Sequence, residues 1–385
     1  MEILFFSPYF YPYISGLTTY PYKILTHLSK KHKITVLTFP YQKELTINNQ
    51  QLTIKYLPYF FRFSKGFISP PSIFYFYYYA KKSDLIILNQ PNFEGLFLAI
   101  IGKILHKKIV SILHCQVFLD SGFFNQIINS FLNLSVFIQL WLSNNIIAYT
   151  EDYFKSLKIS RFFLKKTRFV LPPIEFLKIN QKKLKEFDRL KTDKIWLGYA
   201  GRIASEKGLE YLVQSINQLY AKNKVELVFA GPYGKDVSGE DKYYKRIINL
   251  LETNVVKHHF FGNLSDGDLS AFYKAIDLLV LPSINQTEAF GMVQAEAMLT
   301  GTPVIASNLP GVRVPIRLTK MGEIVKPKNP QQISKAIIKI LKNKNKFSNN
   351  FLINKAKKIF DINKTYQFYD NLVCQSHPNL TEAVK

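Results

Sequence analysis

Residues 195–219 read IWLGYAGRIASEKGLEYLVQSINQL, and this stretch predicts the fold. Its first part, IWLGY at 195–199, is a short apolar run without polar alternation, which is typical of a parallel strand buried on both faces. After the loop, apolar residues recur at intervals of three and four, as in a helix that packs one stripe against a sheet. These positions are Leu209, Leu212, Val213, Ile216 and Leu219. The stretch therefore predicts a strand, a loop and a helix in succession.

The same pattern is repeated along the whole chain. In the first part, strands are predicted at 2–6, 34–38, 85–88, 109–113, 146–149 and 168–171. In the second part, further strands are predicted at 226–230, 278–281, 304–306 and 323–325. The polar segment 178–194 separates the two series and has the composition of a linker or an exposed helix. Because βαβ crossovers are right-handed, each series is expected to wind into a doubly wound α/β domain.

Composition limits the class of protein and its compartment. The 385 residues include 51 Lys and Arg against 27 Asp and Glu, a net charge of +24. An apolar fraction of 47% with 20% charged residues excludes a disordered, collagen-like or coiled-coil chain. Two cysteines, Cys115 and Cys374, provide no disulfide framework, and the start lacks the basic region of a secretory signal. Residues 123–142 hold seven Asn, Gln or Ser, which favours a buried or interfacial helix over a membrane span. A cytoplasmic protein is predicted.

The loop at 201–208, GRIASEKG, carries two cations between the strand and the helix. Arg202 and Lys207 would lie near the positive end of the helix dipole, which is unfavourable unless an anion is also bound there. A phosphate group would remove that penalty. The alternative is that both are solvated surface charges, which is common in so basic a chain.

A second polar loop follows the predicted strand at 278–281. It carries Glu288, and Gly291 would let backbone N–H groups approach a ligand at the start of the next helix. Glu296 lies eight residues after Glu288 and is expected inside that helix. A carboxylate can accept two hydroxyl protons, which suits a ribose diol or a sugar. The alternative is an ordinary exposed pair of glutamates beside an apolar helix face.

Two further positions give weaker indications. Gly16 ends the loop after the first strand, but the full G-x-G-x-x-G phosphate pattern is absent. His114 stands at the carboxyl end of the strand at 109–113, where it could contact a substrate or transfer a proton. A single buried histidine is more often structural, so that alternative remains open.

Taken in order, these segments resemble the retaining family 4 glycosyltransferases, and the likeness covers nearly the whole chain. The most specific parts are GRIxxEKG at 201–208 and the pair Glu288 and Glu296, after which the chain continues AMLTGTPVIAS. The resemblance implies the GT-B fold, an α/β architecture of two facing Rossmann-like domains with a cleft between them. The domains are expected at 1–175, on the acceptor side, and 176–362, which would bind the nucleotide sugar. Residues 363–385 are expected to form a C-terminal helix that packs back toward the first domain.

The resemblance also implies a role for each matching residue. Arg202 and Lys207 match the pair that binds the donor diphosphate and neutralises the leaving group. Glu288 matches the carboxylate beside the donor sugar, Glu296 the carboxylate that binds the ribose, and His114 a histidine near the donor hexose. Arg202, Lys207, Glu288 and His114 are thus the expected catalytic residues. The remaining donor-binding positions are Gly16, Gly201, Asn263, Leu264, Ala289, Phe290 and Gly291.

By the same resemblance, the reaction is transfer of a hexosyl unit from a nucleoside-diphosphate sugar to a hydroxyl, with retention of configuration. No cofactor and no essential metal are expected. Three positions depart from the family pattern. Ser15 replaces the first glycine of a Gly-Gly loop, residues 172–175 read PPIE where Asn-Gly-x-Asp is usual, and no glutamate follows Gly311 closely. These departures leave the donor base and sugar open.

The acceptor side is suggested by aromatic and basic residues. Residues 56–79 contain 12 of the 57 aromatic residues, and residues 155–168 carry six Lys or Arg and no acid. Such a mixture suits the headgroup layer of an anionic membrane, so the hypothesis is a lipid-linked or saccharide acceptor reached from the inner face of the cell membrane. The alternative is that the aromatic residues fill a core and that lysine is simply abundant.

Two other classes of function were open from the sequence. A nucleic-acid-binding protein would explain the charge of +24, but no recognisable DNA or RNA module is present, so no nucleic-acid partner is expected. A non-catalytic sugar-nucleotide sensor would retain the same phosphate-binding residues. Acceptor-dependent release of a nucleoside diphosphate would separate such a sensor from an enzyme. The oligomeric state is left open.

Overall fold

The structure, a computed structural model, describes residues 1–13, 15–40, 51–63, 66–117, 122–219, 224–237 and 239–375. The chain divides into two compact units. The first is Met1–Pro173 together with Ile362–Lys385, and the second is Ile174–Asp361. Each unit is built on a parallel sheet with helices, so the predicted pair of doubly wound α/β domains is confirmed.

The first unit is organised around one parallel sheet. Its strands are β1 (Glu2–Phe6), β2 (Lys33–Thr38), β3 (Leu52–Tyr56), β6 (Leu85–Gln90), β7 (Lys108–Leu113), β8 (Asn145–Ala148) and β9 (Thr167–Phe169), and β4 (Phe61–Phe63) and β5 (Gly66–Ile68) form a small antiparallel hairpin. In the described residues, the sheet order is β3-β2-β1-β6-β7-β8-β9. The central strands β1 and β6 are almost wholly buried, as their continuous apolar runs predict.

Six helices precede the second unit in the described chain. They are α1 (Gly16–Leu28), α2 (Ser72–Lys82), α3 (Gly95–Ile104), α4 (Phe123–Leu142), α5 (Glu151–Ser156) and α6 (Ser160–Phe163). The connecting helices α2, α3 and α4 pack side by side. Within the described ranges, none of the helices is both long enough and apolar enough to cross a bilayer, and this includes α4, which occupies the polar-rich segment 123–142.

The second unit has the same plan. Its strands are β10 (Ile195–Ala200), β11 (Val225–Ala230), β12 (His258–Phe260), β13 (Leu278–Leu281), β14 (Val304–Ser307) and β15 (Gly322–Val325). Its helices are α7 (Gln181–Lys191), α8 (Leu209–Ile216), α9 (Asp241–Thr253), α10 (Asp266–Ala275), α11 (Met292–Leu299), α12 (Val314–Thr319), α13 (Pro330–Lys342), α14 (Lys344–Phe347) and α15 (Asn350–Ile359). In the described part, the strand order is β12-β11-β10-β13-β14-β15. Because β10 and β13 are neighbours, the loops that follow them emerge together at one edge of the sheet.

The last helix, α16 (Ile362–Cys374), belongs to the first unit and packs against α1. The contact centres on two tyrosines. Tyr20 and Tyr369 are both fully buried, and their hydroxyl oxygens lie 2.8 Å apart in a hydrogen bond. A further hydrogen bond from Thr365 Oγ1 to the carbonyl oxygen of Leu171, 3.0 Å long, fixes the same helix to the end of the sheet.

Tyr369→Phe should therefore destabilise the first unit. The change removes one hydroxyl and leaves the buried hydroxyl of Tyr20 without its partner, which costs about 1–3 kcal/mol. The double variant Tyr20→Phe with Tyr369→Phe removes both groups and should recover most of the lost free energy of unfolding. Denaturant unfolding of the wild type, both single variants and the double variant measures the coupling. Strictly additive losses would show that this bond does not hold α16 in place.

Candidate active site

The loop between β10 and α8 takes a tightly constrained path. It contains a short 3-10 turn at Ser205–Lys207 and ends at Gly208, which has a left-handed conformation with φ of 64°. A Cβ atom at Gly208 would lie only 2.7 Å from the carbonyl oxygen of Pro282, in the loop after β13. Glycine is therefore required here both by backbone conformation and by the close approach of the neighbouring loop.

Arg202 forms an ion pair inside this loop. Its Nη2 atom lies 2.6 Å from Oε1 of Glu206, and about a third of the arginine side chain remains accessible. The hydroxyl of Tyr199 donates a hydrogen bond of 2.6 Å to the carbonyl oxygen of Arg202, which fixes the backbone directly below the guanidinium group. Arg202 is thus a positioned cation and not a freely rotating surface charge.

Lys207 and Glu288 join the two predicted motifs. The lysine Nζ lies 2.6 Å from Oε2 of Glu288, and both side chains are mostly buried, with exposed fractions of 17% and 15%. A backbone hydrogen bond of 3.0 Å from the N–H of Ile284 to the carbonyl oxygen of Glu206 links the same two loops. The residues are 81 positions apart in sequence, so this contact exists because β10 and β13 are adjacent in the sheet.

Glu296 lies within α11, as the spacing predicted. Tyr273, on α10, donates a hydrogen bond of 2.7 Å from its hydroxyl to Oε2 of Glu296. Burial, and then the negative charge of Glu296, raise the pKa of Tyr273 well above its ordinary value, so the phenol stays protonated and keeps donating. This fixed donor orients the carboxylate.

The backbone before α11 has the conformation expected for a ligand-binding loop. Gly291 is the residue before the helix and has φ of 75°, which an L side chain rarely adopts. Ala289 and Phe290 are both buried. Gln294 holds the loop in place, since its Nε2 donates to the carbonyl of Phe290 at 2.8 Å and to that of Val312 at 3.0 Å.

Asn263 and Leu264 follow β12, so they lie at the same sheet edge as the loops after β10 and β13. Asn263 is exposed and Leu264 is half-buried. The N–H of Gly231, after β11, donates to the carbonyl of Gly262 at 2.8 Å and links the neighbouring loops. Within the second unit, the structure therefore gathers the expected diphosphate, sugar, ribose and base positions along one edge of one sheet.

In the first unit, Gly16 is the first residue of α1. Ser15 precedes the helix, and its N–H donates to Oγ1 of Thr18 at 3.0 Å, which gives the serine a helix-capping role. A glycine could donate the same backbone bond, and what the serine adds is its hydroxyl, which lies 3.2 Å from Oγ1 of Thr18 at the start of the helix.

His114 is almost completely buried, with 2% of its surface exposed. Its Nε2 lies 2.5 Å from Oδ1 of Asn89, and its Nδ1 is hydrogen-bonded to the hydroxyl of Tyr149. Asn89 Nδ2 donates to the carbonyl of Leu17 at 3.0 Å, so its Oδ1 is the acceptor that faces the ring. His114 therefore carries its proton on Nε2, and burial lowers its pKa to about 3. The side chain is neutral and both ring nitrogens are occupied.

Several supporting residues escaped the sequence reasoning. Glu240 accepts a hydrogen bond of 3.0 Å from the N–H of Ser205, at the start of the 3-10 turn. Tyr273, Gln294 and Asn89 are the others. Glu240, Tyr273 and Asn89 each act on a motif residue that is between 23 and 35 positions away, so motif spacing does not reveal them. Gln294 lies inside the second motif, but the spacing of the two glutamates does not mark it.

Metal-ligating residues do not cluster in the described ranges. There, His, Cys, Asp and Glu nowhere form a group of three that could hold a metal ion. The expectation of a metal-independent reaction remains a prediction.

Comparison with known proteins supports the resemblance to glycosyltransferases. Residues 180–358 match the family of glycosyl transferases group 1, which confirms the group 1 type of the resemblance inferred from the sequence. An uncharacterised glycosyltransferase of Methanocaldococcus jannaschii is 32% identical over 176 residues, which make up 45% of this chain and 41% of that protein. The lipopolysaccharide 1,2-N-acetylglucosaminetransferase of Salmonella typhimurium is 32% identical over 134 residues, 34% of this chain and 35% of that protein. The chain thus matches less than half the length of these two relatives.

A solved structure matches over nearly the whole length. The crystal structure of Anabaena Alr3699/HepE in complex with UDP-glucose has a TM-score of 0.77 and 18% identity, and the match covers 97% of this chain and 99% of that one. At this level of identity the likeness concerns the fold alone. The predicted GT-B class, with two Rossmann-like α/β domains, is confirmed.

Proposed function

Since residues 180–358 belong to the glycosyl transferases group 1, we propose that this protein transfers a hexosyl unit from a nucleoside-diphosphate sugar to an acceptor hydroxyl. The observation that carries the proposal is the Lys207–Glu288 contact of 2.6 Å, because it brings both motif loops to one place at the carboxyl edge of a parallel sheet. Ligands of such sheets bind beyond this edge. The neighbour bound to UDP-glucose supports the class of donor.

The proposed catalysis is electrostatic. Arg202 and Lys207 bind the donor diphosphate and stabilise the negative charge that develops on the departing phosphate oxygen. In the structure each cation is paired with a carboxylate, Glu206 or Glu288, at 2.6 Å. These pairs hold the cations in position, so little reorganisation is needed when a diphosphate approaches. No metal ion and no other cofactor are required in this scheme.

The remaining donor contacts follow from the same arrangement. Glu296, oriented by the phenol of Tyr273, accepts hydrogen bonds from the two ribose hydroxyls. Glu288 lies beside the donor sugar, and the backbone amides of residues 289–291 face the sugar and phosphate. The base rests against the backbone near Asn263 and Leu264. For Gly16 and His114, in the first unit, the family resemblance is what supports a donor role, and His114 would act as a neutral positioning residue because both its ring nitrogens are hydrogen-bonded.

We propose retention of the anomeric configuration by front-face attack through an oxocarbenium-like state. The family resemblance motivates this, since no side chain in the two motifs is placed as a covalent nucleophile. The anomeric coupling constant of the product, read by proton NMR before mutarotation, tests it. A product of inverted configuration would overturn this part of the proposal.

The acceptor is proposed to be a lipid-linked or saccharide hydroxyl in the synthesis of surface polysaccharide or glycolipid. The lipopolysaccharide transferase of Salmonella typhimurium, similar over about a third of the chain, supports this class. The protein would then work in the cytoplasm, at the inner face of the cell membrane. Release of a nucleoside diphosphate only when acceptor is present distinguishes this enzyme from a sugar-nucleotide sensor.

Titration calorimetry with UDP, GDP and ADP should reveal one preferred nucleoside diphosphate, and Lys207→Ala should bind it at least tenfold more weakly. The reason is the loss of a charge-assisted hydrogen bond, worth about 1.5–3 kcal/mol. The matched control is Lys185→Ala, which removes an exposed lysine from α7. Equal affinity of both variants for the nucleotide would contradict the phosphate role of Lys207.

A further inference from the structure

The first unit exposes large apolar side chains on three adjacent helices. Helices α2, α3 and α4 lie side by side. We define the outer apolar face as six residues on them, all more than half exposed. They are Phe74 (78%), Phe97 (51%), Ile104 (70%), Phe131 (70%), Leu134 (56%) and Trp141 (67%).

Helix α4 shows that this exposure is organised. Its exposed residues Phe131, Leu134 and Trp141 are three and seven positions apart, so they lie on one side of the helix. Gln139 and Leu140 lie on the opposite side and are fully buried, and Ser135 (6% exposed) lies between the two sides. A helix side that faced water alone would carry polar residues where Phe131, Leu134 and Trp141 are exposed.

The buried polar side of α4 is held by hydrogen bonds. Gln139 Nε2 donates to the carbonyl of Asn92 at 2.9 Å, and Gln139 Oε1 accepts from Gln90 Nε2 at 2.5 Å. The hydroxyl groups of Ser143 and Ser111 form a hydrogen bond of 2.8 Å. Because these amides and hydroxyls are satisfied inside the unit, the rotational setting of α4 is fixed, and Phe131, Leu134 and Trp141 point outward.

The exposed aromatic residues do not take part in the hydrophobic core. On α2, Phe76 is fully buried and belongs to the core cluster together with Phe67 of the hairpin. Phe74, on the same helix, is 78% exposed. The hypothesis that the aromatic segment only fills a core is therefore correct for part of it and fails for the outer apolar face.

The segment of the chain that carries this face is positively charged. In the described residues between 56 and 142, the acidic side chains are Asp84, which accepts a hydrogen bond of 2.8 Å from the N–H of Glu2, and Glu94, which is buried. Oε1 of Glu94 accepts a hydrogen bond of 2.8 Å from the N–H of Phe67, so the carboxylate points inward. The basic residues in the same range are Arg62, Lys81, Lys82, Lys103, Lys107 and Lys108.

We propose that the outer apolar face docks on the headgroup layer of an anionic phospholipid bilayer. Charge complementarity selects this partner, because a second copy of the chain would bring its own lysines against these lysines, whereas each Lys or Arg near an anionic bilayer adds to the attraction. Aromatic and aliphatic side chains then enter the interface, as in monotopic amphipathic helices. The proposal rests on the proposed function for its purpose, which is access to a lipid-linked acceptor.

Flotation of the full-length protein with vesicles tests this. The protein should float with vesicles of phosphatidylcholine and phosphatidylglycerol at moderate salt and remain in the bottom fraction with pure phosphatidylcholine. The double variant Phe131→Gln with Leu134→Gln should reduce the floated fraction at least tenfold. Phe351→Gln on α15, which removes an equally exposed phenylalanine (76%) from the second unit, is the matched control and should float like the wild type.

Each other outcome overturns the proposal. Flotation of the double variant at the wild-type level would show that the face does not touch lipid, and equal flotation with neutral vesicles would contradict the electrostatic selection. A dimer that becomes a monomer in the double variant, without flotation of the wild type, would assign the face to a second copy. Nucleotide calorimetry on the double variant should match the wild type, so failure here is distinguishable from failure of the proposed transferase activity.

Discussion

Lys207→Ala and Arg202→Ala are each expected to lower kcat by about a hundredfold or more. Both cations are preorganised in ion pairs of 2.6 Å, and in the proposed reaction they stabilise charge that grows in the transition state. Loss of a single preorganised group of this kind costs about 10²–10³ in kcat. The measurement is the steady-state release of the nucleoside diphosphate that calorimetry selects, with its sugar as donor.

The Lys207 variant needs a control for the charge that it leaves behind. Loss of the Lys207 ammonium group leaves the mostly buried carboxylate of Glu288 without its partner, which also destabilises the fold. The double variant Lys207→Ala with Glu288→Gln removes this unpaired charge and should regain thermal stability without regaining turnover. Near-normal kcat in Arg202→Ala and in the Lys207 variants would refute the phosphate assignment.

Acid should destabilise the first unit through His114. The pKa of His114 is about 3 in the folded protein and about 6.5 in an unfolded chain, so the unfolded state takes up the proton first. The contribution of neutral His114 to the free energy of unfolding is complete above pH 6.5 and is lost as the pH falls from 6.5 toward 3. The loss amounts to about 1.4 kcal/mol for each pH unit in this window.

Denaturant unfolding of wild type and His114→Gln at pH 7.5, 6.0, 5.0 and 4.5 measures this contribution. Glutamine can still donate to Asn89 but does not titrate, so the variant should lose less stability on acidification than the wild type. Carboxylates titrate in both proteins, and the difference between the two curves removes their effect. Parallel curves would show that His114 does not take up a proton on unfolding.

The central strands could be predicted from the sequence. Of the four strands at the edges of the two parallel sheets in the described residues, β9 and β15 were also predicted, but β3 and β12 were not. Strands β1, β6, β10 and β13 lie in sheet interiors and are apolar on both faces, which produces a continuous run of apolar letters. Strands β3 and β12 lie at sheet edges and are partly exposed, and polar residues interrupt them, as in HHF at His258–Phe260. Strands that are interrupted in this way produce no continuous apolar run.

The candidate site was likewise predicted in part. The motif residues Arg202, Lys207, Glu288 and Glu296 were found because their spacing within each loop is local in sequence. Their partners were not found, because the pairing of Glu296 with Tyr273 depends on how α10 and α11 pack. His114 was placed correctly at a strand end, but its burial follows from the approach of Asn89 and Tyr149, from two other strands and their ends.

The second unit is a single uninterrupted segment, Ile174–Asp361, inserted between β9 and the terminal helix α16 of the first unit. It contains the whole family-matched region at 180–358 and, with it, all the proposed donor contacts except Gly16 and His114. Exchange of donor preference between relatives therefore needs only two junctions, at 173/174 and 361/362. Recombination could replace the second unit as one segment, while the first unit, including its own C-terminal helix, is inherited unchanged.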